Sequence, residues 1–221
     1  MKKICLLIVL TLFAASSASA QLLVSPHTKA LKGELDLIAT LSIAEIEYEA
    51  DLGGDSDVDR FILGIGGVYG LNEFLDIYLE LGYTLEAELD SGPDDTGFVV
   101  GTGIKGVVYR QDRFSVIARG GARFIDEDYG NGSEGTIVDL ELGAVARYAL
   151  QNNFVIYGGV DLYPISEGEI EVGGFDFDVE RESILGLRGG AAYRFNTFSI
   201  NGELGILGEE GFMIRAKFPL S

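Results

Sequence analysis

Apolar side chains occupy every second position from Leu75 to Leu89, and most of the positions between them are polar. An alternation with a period of two is typical of a β-strand that has one apolar and one polar face. The stretch is much longer than the five or six residues of an ordinary strand. A tilted strand needs roughly nine to eleven residues to cross a bilayer. The stretch therefore predicts a strand that spans a membrane and projects beyond it.

The first twenty residues have the three parts of a secretory signal peptide. A basic start and an apolar run lead to Ala18-Ser19-Ala20, which matches an A-x-A cleavage site. We expect residues 1–20 to be removed; an uncleaved membrane anchor is the alternative. Cleavage would also remove Cys5, the only cysteine, so no thiol chemistry is expected. Residues 21–32 are predicted to be an N-terminal periplasmic lead-in, and residues 33–221 an outer-membrane β-barrel domain.

The composition combines a large acidic excess with high hydrophobicity. The formal net charge is −19, yet 47% of the residues are hydrophobic and the mean hydropathy is +0.23. So hydrophobic a chain is not expected to be an acidic disordered protein. After the leader, no apolar run approaches the eighteen residues of a transmembrane helix. A β-barrel, in which apolar residues are diluted by alternation, is the class that remains.

Ten alternating segments predict an all-β fold, a single antiparallel up-and-down barrel of ten strands, with eight strands as the fallback. In the first segment the apolar positions change parity near Glu45, which predicts a β-bulge. Short turns and longer acidic connections alternate along the chain, as an outer-membrane barrel requires. The short turns are 72–73, 111–113, 151–153 and 196–197, and the longer connections are 51–59, 90–96, 126–134 and 166–181.

Each short turn lies between a tyrosine and a phenylalanine. Aromatic residues at one level are typical of the girdle that a barrel places at the membrane interface. The alternative is the strand-end aromatics of a soluble β-protein. The predicted girdle consists of Tyr69, Phe74, Tyr109, Phe114, Tyr148, Phe154, Tyr193 and Phe198.

The opposite face of the strands carries acidic and basic residues in equal numbers. These side chains are expected to line the lumen, where they would form either a packed salt-bridge network or a water-filled constriction that selects ions. Inward glycines would leave open space or admit long arginines. The predicted lumen network consists of Asp76, Glu80, Glu86, Lys105, Arg119, Arg123, Asp139, Glu141, Arg147, Asp161, Arg188, Arg194, Glu203 and Arg215.

Little in the sequence points to catalysis or to a cofactor. His27 is the only histidine and precedes the predicted barrel, so no serine has a histidine base within it. Asp55, Asp57 and Asp59 have the alternating carboxylates of a calcium loop but lack its glycine and terminal glutamate. They are a weak candidate for a metal site beside the simpler interpretation, a solvated acidic loop.

With its leader, alternating strands, aromatic turns and acidic loops, the chain resembles the small bacterial outer-membrane β-barrel superfamily, the OmpA-like and porin-like group. Phe218 near the C-terminus is in keeping with the aromatic by which that group's last strand is recognised. The ten-stranded omptin proteases are similar in strand count, but the resemblance implies a histidine in the barrel mouth, which this chain does not supply.

We therefore expect a non-enzymatic protein of the bacterial outer membrane, acting as a structural element or a narrow passive-diffusion pore. The alternative is a surface interaction or adhesion protein that works through its acidic loops, with divalent cations as possible ligands. The expected partners are outer-membrane lipid and, during insertion, the barrel assembly machinery. Nucleic acid is not expected as a partner. The protein is expected to be a monomer.

Overall fold

The computed structural model describes residues 30, 32–50, 54–89, 95–130, 132–151 and 153–220. Residues 1–29, which include the predicted signal peptide and His27, lie outside this part. No described segment is a helix long and apolar enough to cross a membrane. The strands are β1 (Leu35–Ala50), β2 (Gly54–Gly70), β3 (Leu75–Leu89), β4 (Asp95–Gln111), β5 (Phe114–Asp128), β6 (Glu134–Gln151), β7 (Phe154–Val172), β8 (Phe175–Arg181), β9 (Leu185–Arg194), β10 (Ser199–Leu207) and β11 (Glu209–Leu220).

Ten of these strands form a closed antiparallel barrel. Each pairs with its neighbours in the order β1 to β7, β9, β10 and β11, and β11 pairs back onto β1 from Leu35↔Leu220 to Glu45↔Glu210. Closure gives every strand of the ring two hydrogen-bonded neighbours, which is what a sheet needs in lipid. The predicted ten-stranded barrel is confirmed. We call the end with the predicted short turns the short-turn end and the opposite end the loop end.

β8 is the additional strand and narrows the ring at the loop end. It pairs with the last part of β7 and, from Tyr48↔Arg181 to Ala50↔Val179, with the end of β1. The β10–β11 hairpin turns at Gly208, below this level, so β8 takes the place of three strands. The ring therefore changes from ten strands to eight. Residues 166–181, predicted to be a loop, instead form the end of β7, a turn and β8.

The polarity of β1 inverts along its length. From Leu35 to Ile43 the outward side chains are apolar and exposed, whereas beyond Ile43 they are glutamates and the inward ones, Ile46 and Tyr48, are buried. The register with β2 is continuous from residue 35 to residue 50. The predicted bulge near Glu45 is therefore wrong. The strand keeps its phase, and its apolar face changes from the outer side to the inner side beyond Ile43.

The bulge in this region lies instead in β3. Its register shifts against both neighbours around Leu85 and Glu86. Leu85 and Glu86 are both exposed, and Ala87 points inward and is fully buried. The regular alternation of the sequence therefore holds only up to Leu85. The prediction that Glu86 faces the lumen is wrong because the bulge turns it outward.

An exposed apolar belt surrounds the barrel. Large hydrophobic side chains that alternate with inward residues are between about a third and two thirds exposed; among them are Leu41, Ile65, Leu79, Ile104, Leu142, Val160 and Ile200. A contiguous apolar surface of this extent is costly in water. Such a belt is the feature by which a barrel contacts lipid.

Inward glycines make room for large side chains of neighbouring strands. A methyl group at Gly103 or Gly121 would collide with the Tyr78 hydroxyl, and one at Gly190 would collide with the Tyr157 ring and with the carbonyl oxygen of Gly202. The glycines thus do not leave the lumen open, because tyrosines fill the space beside them.

Gly190→Ala should destabilise the barrel by about 1–3 kcal/mol, the usual cost of overpacking. Gly189→Ala is a matched control because its methyl would meet only one backbone oxygen, at 3.8 Å. Denaturant midpoints of the refolded proteins in micelles would measure both. Equal midpoints for the two variants would contradict the packing of Tyr157 against Gly190.

Candidate functional site

The centre of the barrel contains a cluster of paired charges around Arg188. Its Nη1 donates to Glu203 Oε1 at 2.9 Å, its Nη2 lies 3.3 Å from Glu141 Oε1, and its Nε donates to Asp161. These side chains come from β6, β7, β9 and β10 and are nearly inaccessible to solvent. Arg188 therefore connects three carboxylates across the lumen.

Two further arginines balance the charge of this cluster. Arg119 on β5 pairs with Glu141 and donates through Nη2 to Asp161 at 2.8 Å. Arg215 Nη1 on β11 lies 3.9 Å from Glu203 Oε2, which also accepts a hydrogen bond of 2.9 Å from the Tyr157 hydroxyl. Three guanidiniums thus face three carboxylates. A buried charge is tolerated only when it is paired in this way.

A second cluster lies toward the loop end and includes the last residue of β8. Arg123 and Arg181 both bind Asp139 and Glu209. Arg123 Nε lies 2.9 Å from Asp139, and its Nη1 lies 3.1 Å from Glu209. The Arg181 guanidinium lies 3.2 Å from Asp139 and 3.5 Å from Glu209. Arg181 also lies 4.0 Å above the ring of Tyr163 and donates to the carbonyl oxygen of Gly208 at 3.2 Å. Arg181 thereby ties β8 to the β10–β11 turn and to β6.

A third ion pair is enclosed by hydroxyl groups. Arg60 Nε lies 2.6 Å from Glu127 Oε2, and Glu127 also accepts hydrogen bonds from Thr84 at 2.9 Å and Tyr129 at 3.3 Å. Arg60 and Glu127 have at most 1% of their side-chain surface exposed. The pair is therefore isolated from solvent.

An apolar cluster fills the eight-stranded part of the barrel. All its members point inward, and all are at most 3% exposed: Ile46, Tyr48, Val58, Ile62, Ala87, Val99, Ile125, Tyr129, Ile137, Ile170 and Val179. This arrangement is that of a soluble protein core, with the apolar side inside. We call it the apolar cap.

Toward the short-turn end the interior again contains paired groups. Lys217 binds Asp36, Thr40 donates to Glu80 at 2.8 Å, and the backbone N–H of Ala30 donates to Asp76 at 3.3 Å. Lys105 is buried opposite Asp76 in the register of β3 and β4. The end of the predicted lead-in thus contacts the barrel interior through Ala30.

The structure places most of the predicted lumen residues inside. Buried there are Asp76, Glu80, Lys105, Arg119, Arg123, Asp139, Glu141, Asp161, Arg188, Glu203 and Arg215. Arg147 and Arg194 also point inward, but they lie at the short-turn mouth. Neither forms an ion pair with a carboxylate of the described residues.

Sequence reasoning missed Glu127, Arg181 and Glu209. Glu127 continues the inward series of Arg119 and Arg123 at intervals of four residues, a signal that was available in the sequence. The predicted loop beginning at Asp126 hid it. Arg181 and Glu209 were assigned to connections, so no inward face was expected for them.

The predicted aromatic girdle lies on the outer surface at the short-turn end. Its rings are exposed, except that Phe198 is partly buried. Several make contacts: the ring centroids of Tyr109 and Phe114 are 6.1 Å apart, and Phe198 stacks on Phe218 at 6.0 Å. At the loop end, Phe98 and Phe124 are 5.9 Å apart. Two levels of aromatic residues therefore bracket the apolar belt.

The weak metal candidates lie on the outer face of β2. Asp57 and Asp59 are exposed, and the Asp55 side chain lies outside the described part of the structure. No group of three or more His, Cys, Asp or Glu residues is placed to hold a metal ion anywhere in the described part of the chain.

Around the outside of the apolar cap, the loop-end parts of the strands carry acidic residues. Glu45, Glu47 and Glu49 on β1 face outward beside Asp57 and Asp59 on β2. A hydrogen bond with the Glu182 carboxyl, followed by partial burial and the Glu182 charge, raises the pKa of Glu47 to about 7. We call this surface the acidic extension.

One cavity lies between β7, β9 and β10. Its volume is about 10 Å³, and Asp161, Tyr163, Arg188, Glu203 and Glu209 are among its lining residues. Such a volume is at the lower limit for one water molecule. The cavity is therefore too small for a solute.

No protein-family model and no curated protein matches the sequence. An outer membrane channel from Pseudomonas putida F1 has a similar structure, with 12% identity and a TM-score of 0.58 over 90% of this chain and 100% of that chain. The outer membrane protease OmpT from Escherichia coli is also similar, with 10% identity and a TM-score of 0.56 over 89% of this chain and 100% of that one. The fold is that of the small outer-membrane β-barrels.

Arg188→Leu should lower the free energy of unfolding by about 3–5 kcal/mol, because it leaves buried carboxylates uncompensated. Arg113→Gln, in an exposed turn, should change it by less than about 1 kcal/mol. Urea titrations of both variants in micelles would measure the difference. An Arg188→Leu barrel as stable as the wild type would show that the central ion pairs are not needed for folding.

Glu47→Gln should stabilise the protein at pH 8 by less than about 1 kcal/mol, the range of exposed charge pairs. The raised pKa means that the folded protein binds the Glu47 proton more tightly than the unfolded chain does. The resulting stabilisation is present below about pH 4.5 and is lost as the pH rises through about 7.

Unfolding midpoints at pH 5 and pH 8 would test this expectation for Glu47. Glu73→Gln removes one exposed negative charge at the opposite end of the barrel and serves as the control. If the two variants had the same pH dependence, general charge reduction rather than the Glu47–Glu182 contact would be responsible.

Proposed function

We propose that this chain is a closed, non-enzymatic barrel of the bacterial outer membrane that carries the acidic extension outside the bilayer. The observation that supports it best is the filled interior. Ion pairs occupy the middle of the lumen, and the apolar cap, with every member at most 3% exposed, fills the eight-stranded end. Of the two arrangements expected for the lumen charges, a packed salt-bridge network and a water-filled constriction, we therefore adopt the packed network.

Membrane insertion is supported by the belt and the two aromatic levels. The apolar outward face of β1 ends at Ile43, and the acidic extension begins directly after it. The short turns and the long hairpins lie at opposite ends, which is the usual arrangement of periplasmic and extracellular ends. We therefore place the acidic extension on the cell surface and the short-turn end in the periplasm.

The absence of enzymatic activity is part of the proposal. The similarity to OmpT is one of fold. Within the described residues the inward carboxylates of the central cluster are occupied by arginines, so they lack the freedom of a general acid or base. A structural or anchoring role requires only the filled barrel and its apolar belt, without an additional catalytic group.

A second candidate function is surface interaction through the acidic extension. The hairpin of β7 and β8 favours it, since Phe175 at its tip is 71% exposed and acidic residues flank the tip on both strands. A partner for this surface would be cationic, with an apolar contact at the tip. This candidate is compatible with a closed barrel.

Planar-bilayer recordings would test the closed lumen. The refolded protein, shown to be folded by its heat-modifiable gel mobility, should give no conductance steps. A large porin in the same bilayer would serve as the positive control. Reproducible steps whose ion selectivity changes in Arg188→Gln would contradict the proposal, because they would reveal a water path along the central charges.

A further inference from the structure

Three arginines at the short-turn mouth differ from all other arginines of the chain. Among the described residues, Arg110, Arg147 and Arg194 have neither a carboxylate oxygen within 4.0 Å nor a side-chain hydrogen bond. The remaining arginines form ion pairs or, for Arg113, a hydrogen bond to the carbonyl oxygen of Leu150. The three therefore require a separate explanation.

The strand register directs the three side chains into one space. In the strand register, Ser115 on β5 pairs with Arg110 on β4 and with Arg147 on β6, and Ser199 on β10 pairs with Arg194 on β9. Both serines point inward, at 6% and 9% exposure. The arginines lie on β4, β6 and β9, which alternate with β5 and β7 around the ring. Alternate strands are roughly 10 Å apart, so the long side chains line one arc of the mouth.

A bulge in β4 is responsible for the direction of Arg110. The register shifts between Val107 and Tyr109, and Val108 is the additional residue. Val108 and Tyr109 are both exposed on the outside, which returns Arg110 to the inner face. Without the bulge, the alternation that buries Lys105 would turn Arg110 outward. Bulges commonly redirect one side chain in this way.

The arrangement is unfavourable without an additional negative charge. Arg147 lies within electrostatic reach of both Arg110 and Arg194, and its buried Nε has no hydrogen-bond partner among the residues that the structure describes. Leaving a buried charged donor without a partner costs more than leaving a neutral one. In a chain with 35 acidic residues, a carboxylate opposite these arginines would be easy to provide.

Four acidic side chains lie outside the described part, those of Asp51, Asp55, Asp90 and Asp94. Asp55 belongs to the start of β2, and the other three belong to the sequence segments between β1 and β2 and between β3 and β4. The described strand ends that flank these segments lie at the loop end, opposite the three arginines. Residues 1–29 contain no acidic residue.

We propose that Arg110, Arg147 and Arg194 form a binding site for a multiply charged oxyanion of the phosphate class at the short-turn mouth. Guanidinium groups present paired donors that match phosphate oxygens. A phosphate monoester carries about −1.5 to −2 charges, which suits three arginines better than a single carboxylate does. The phosphoryl group could belong to a soluble compound or to a phospholipid headgroup. The site is independent of whether the lumen conducts.

Thermal unfolding of the full refolded protein in neutral, phospholipid-free micelles would test the site, with inorganic pyrophosphate as the probe. The midpoint should rise with pyrophosphate concentration, because a ligand of the folded state stabilises it. Sodium chloride at the same ionic strength should give a smaller, non-saturating change. Arg147→Gln should weaken the response at least about tenfold, as expected when a charged hydrogen bond is lost.

Arg113→Gln is the matched control, since Arg113 lies at the same end of the barrel and is engaged with a backbone carbonyl. It should respond to pyrophosphate like the wild type. Without pyrophosphate, Arg147→Gln should have a higher midpoint than the wild type, because the repulsion between the arginines is reduced. A purely structural role for Arg147 would lower that midpoint instead. Arg110→Gln and Arg194→Gln, at exposed positions, test the same site with little risk to folding.

Two arms distinguish the sources of the phosphoryl group. Saturable binding of pyrophosphate without lipid supports a soluble compound. A shift that occurs only after phosphatidic acid, whose headgroup is a phosphate monoester, is added, and that Arg147→Gln abolishes, supports a headgroup. Equal responses to pyrophosphate and chloride together with no effect of phosphatidic acid would overturn the proposal, as would identical behaviour of Arg147→Gln and Arg113→Gln in both arms.

Discussion

A sheet in contact with hydrocarbon must have no unpaired edge, because lipid offers no hydrogen bonds to backbone N–H and C=O groups. In this protein the pairing of β1 with β11 meets that requirement. The number of strands that this closure includes fixes the width of the interior. A ring of ten is only slightly wider than the eight-stranded barrels whose lumens side chains fill. The interior charges consequently have little water around them and must neutralise one another, as the central cluster around Arg188 does.

The same strands obey two opposite patterns of polarity. In the apolar belt they are apolar outside and charged inside, whereas in the acidic extension they are acidic outside and apolar inside. β1 passes from one pattern to the other at Ile43 without a change of register. The environment on each side, and not the strand itself, determines which face is apolar. The large negative charge of the chain is thereby concentrated where water can solvate it.

The alternation of the sequence was sufficient to predict the barrel, the girdle and most inward charges, since side-chain direction in a strand follows directly from residue parity. It was insufficient where a bulge changes the parity. Leu85–Glu86 and Val108 look like ordinary strand residues, and only the register with neighbouring strands reveals the additional residue. β8 was missed for a related reason. Its many acidic residues are typical of a loop, and its pairing with β1 depends on residues far away in the sequence.

The edge of β1 that does not pair with β2 pairs with two strands, β8 and β11. Tyr48 is the partner of Arg181, and Glu45 is the partner of Glu210. The pairing of this edge therefore depends on segments that are far along the chain. Contacts between residues so distant in sequence are slow to form. β8 and β11 occupy adjacent lengths of the same edge of β1, so the apolar cap and the closed ring both depend on this one edge. Within the barrel, the first strand in sequence therefore needs the last one before both of its edges are paired.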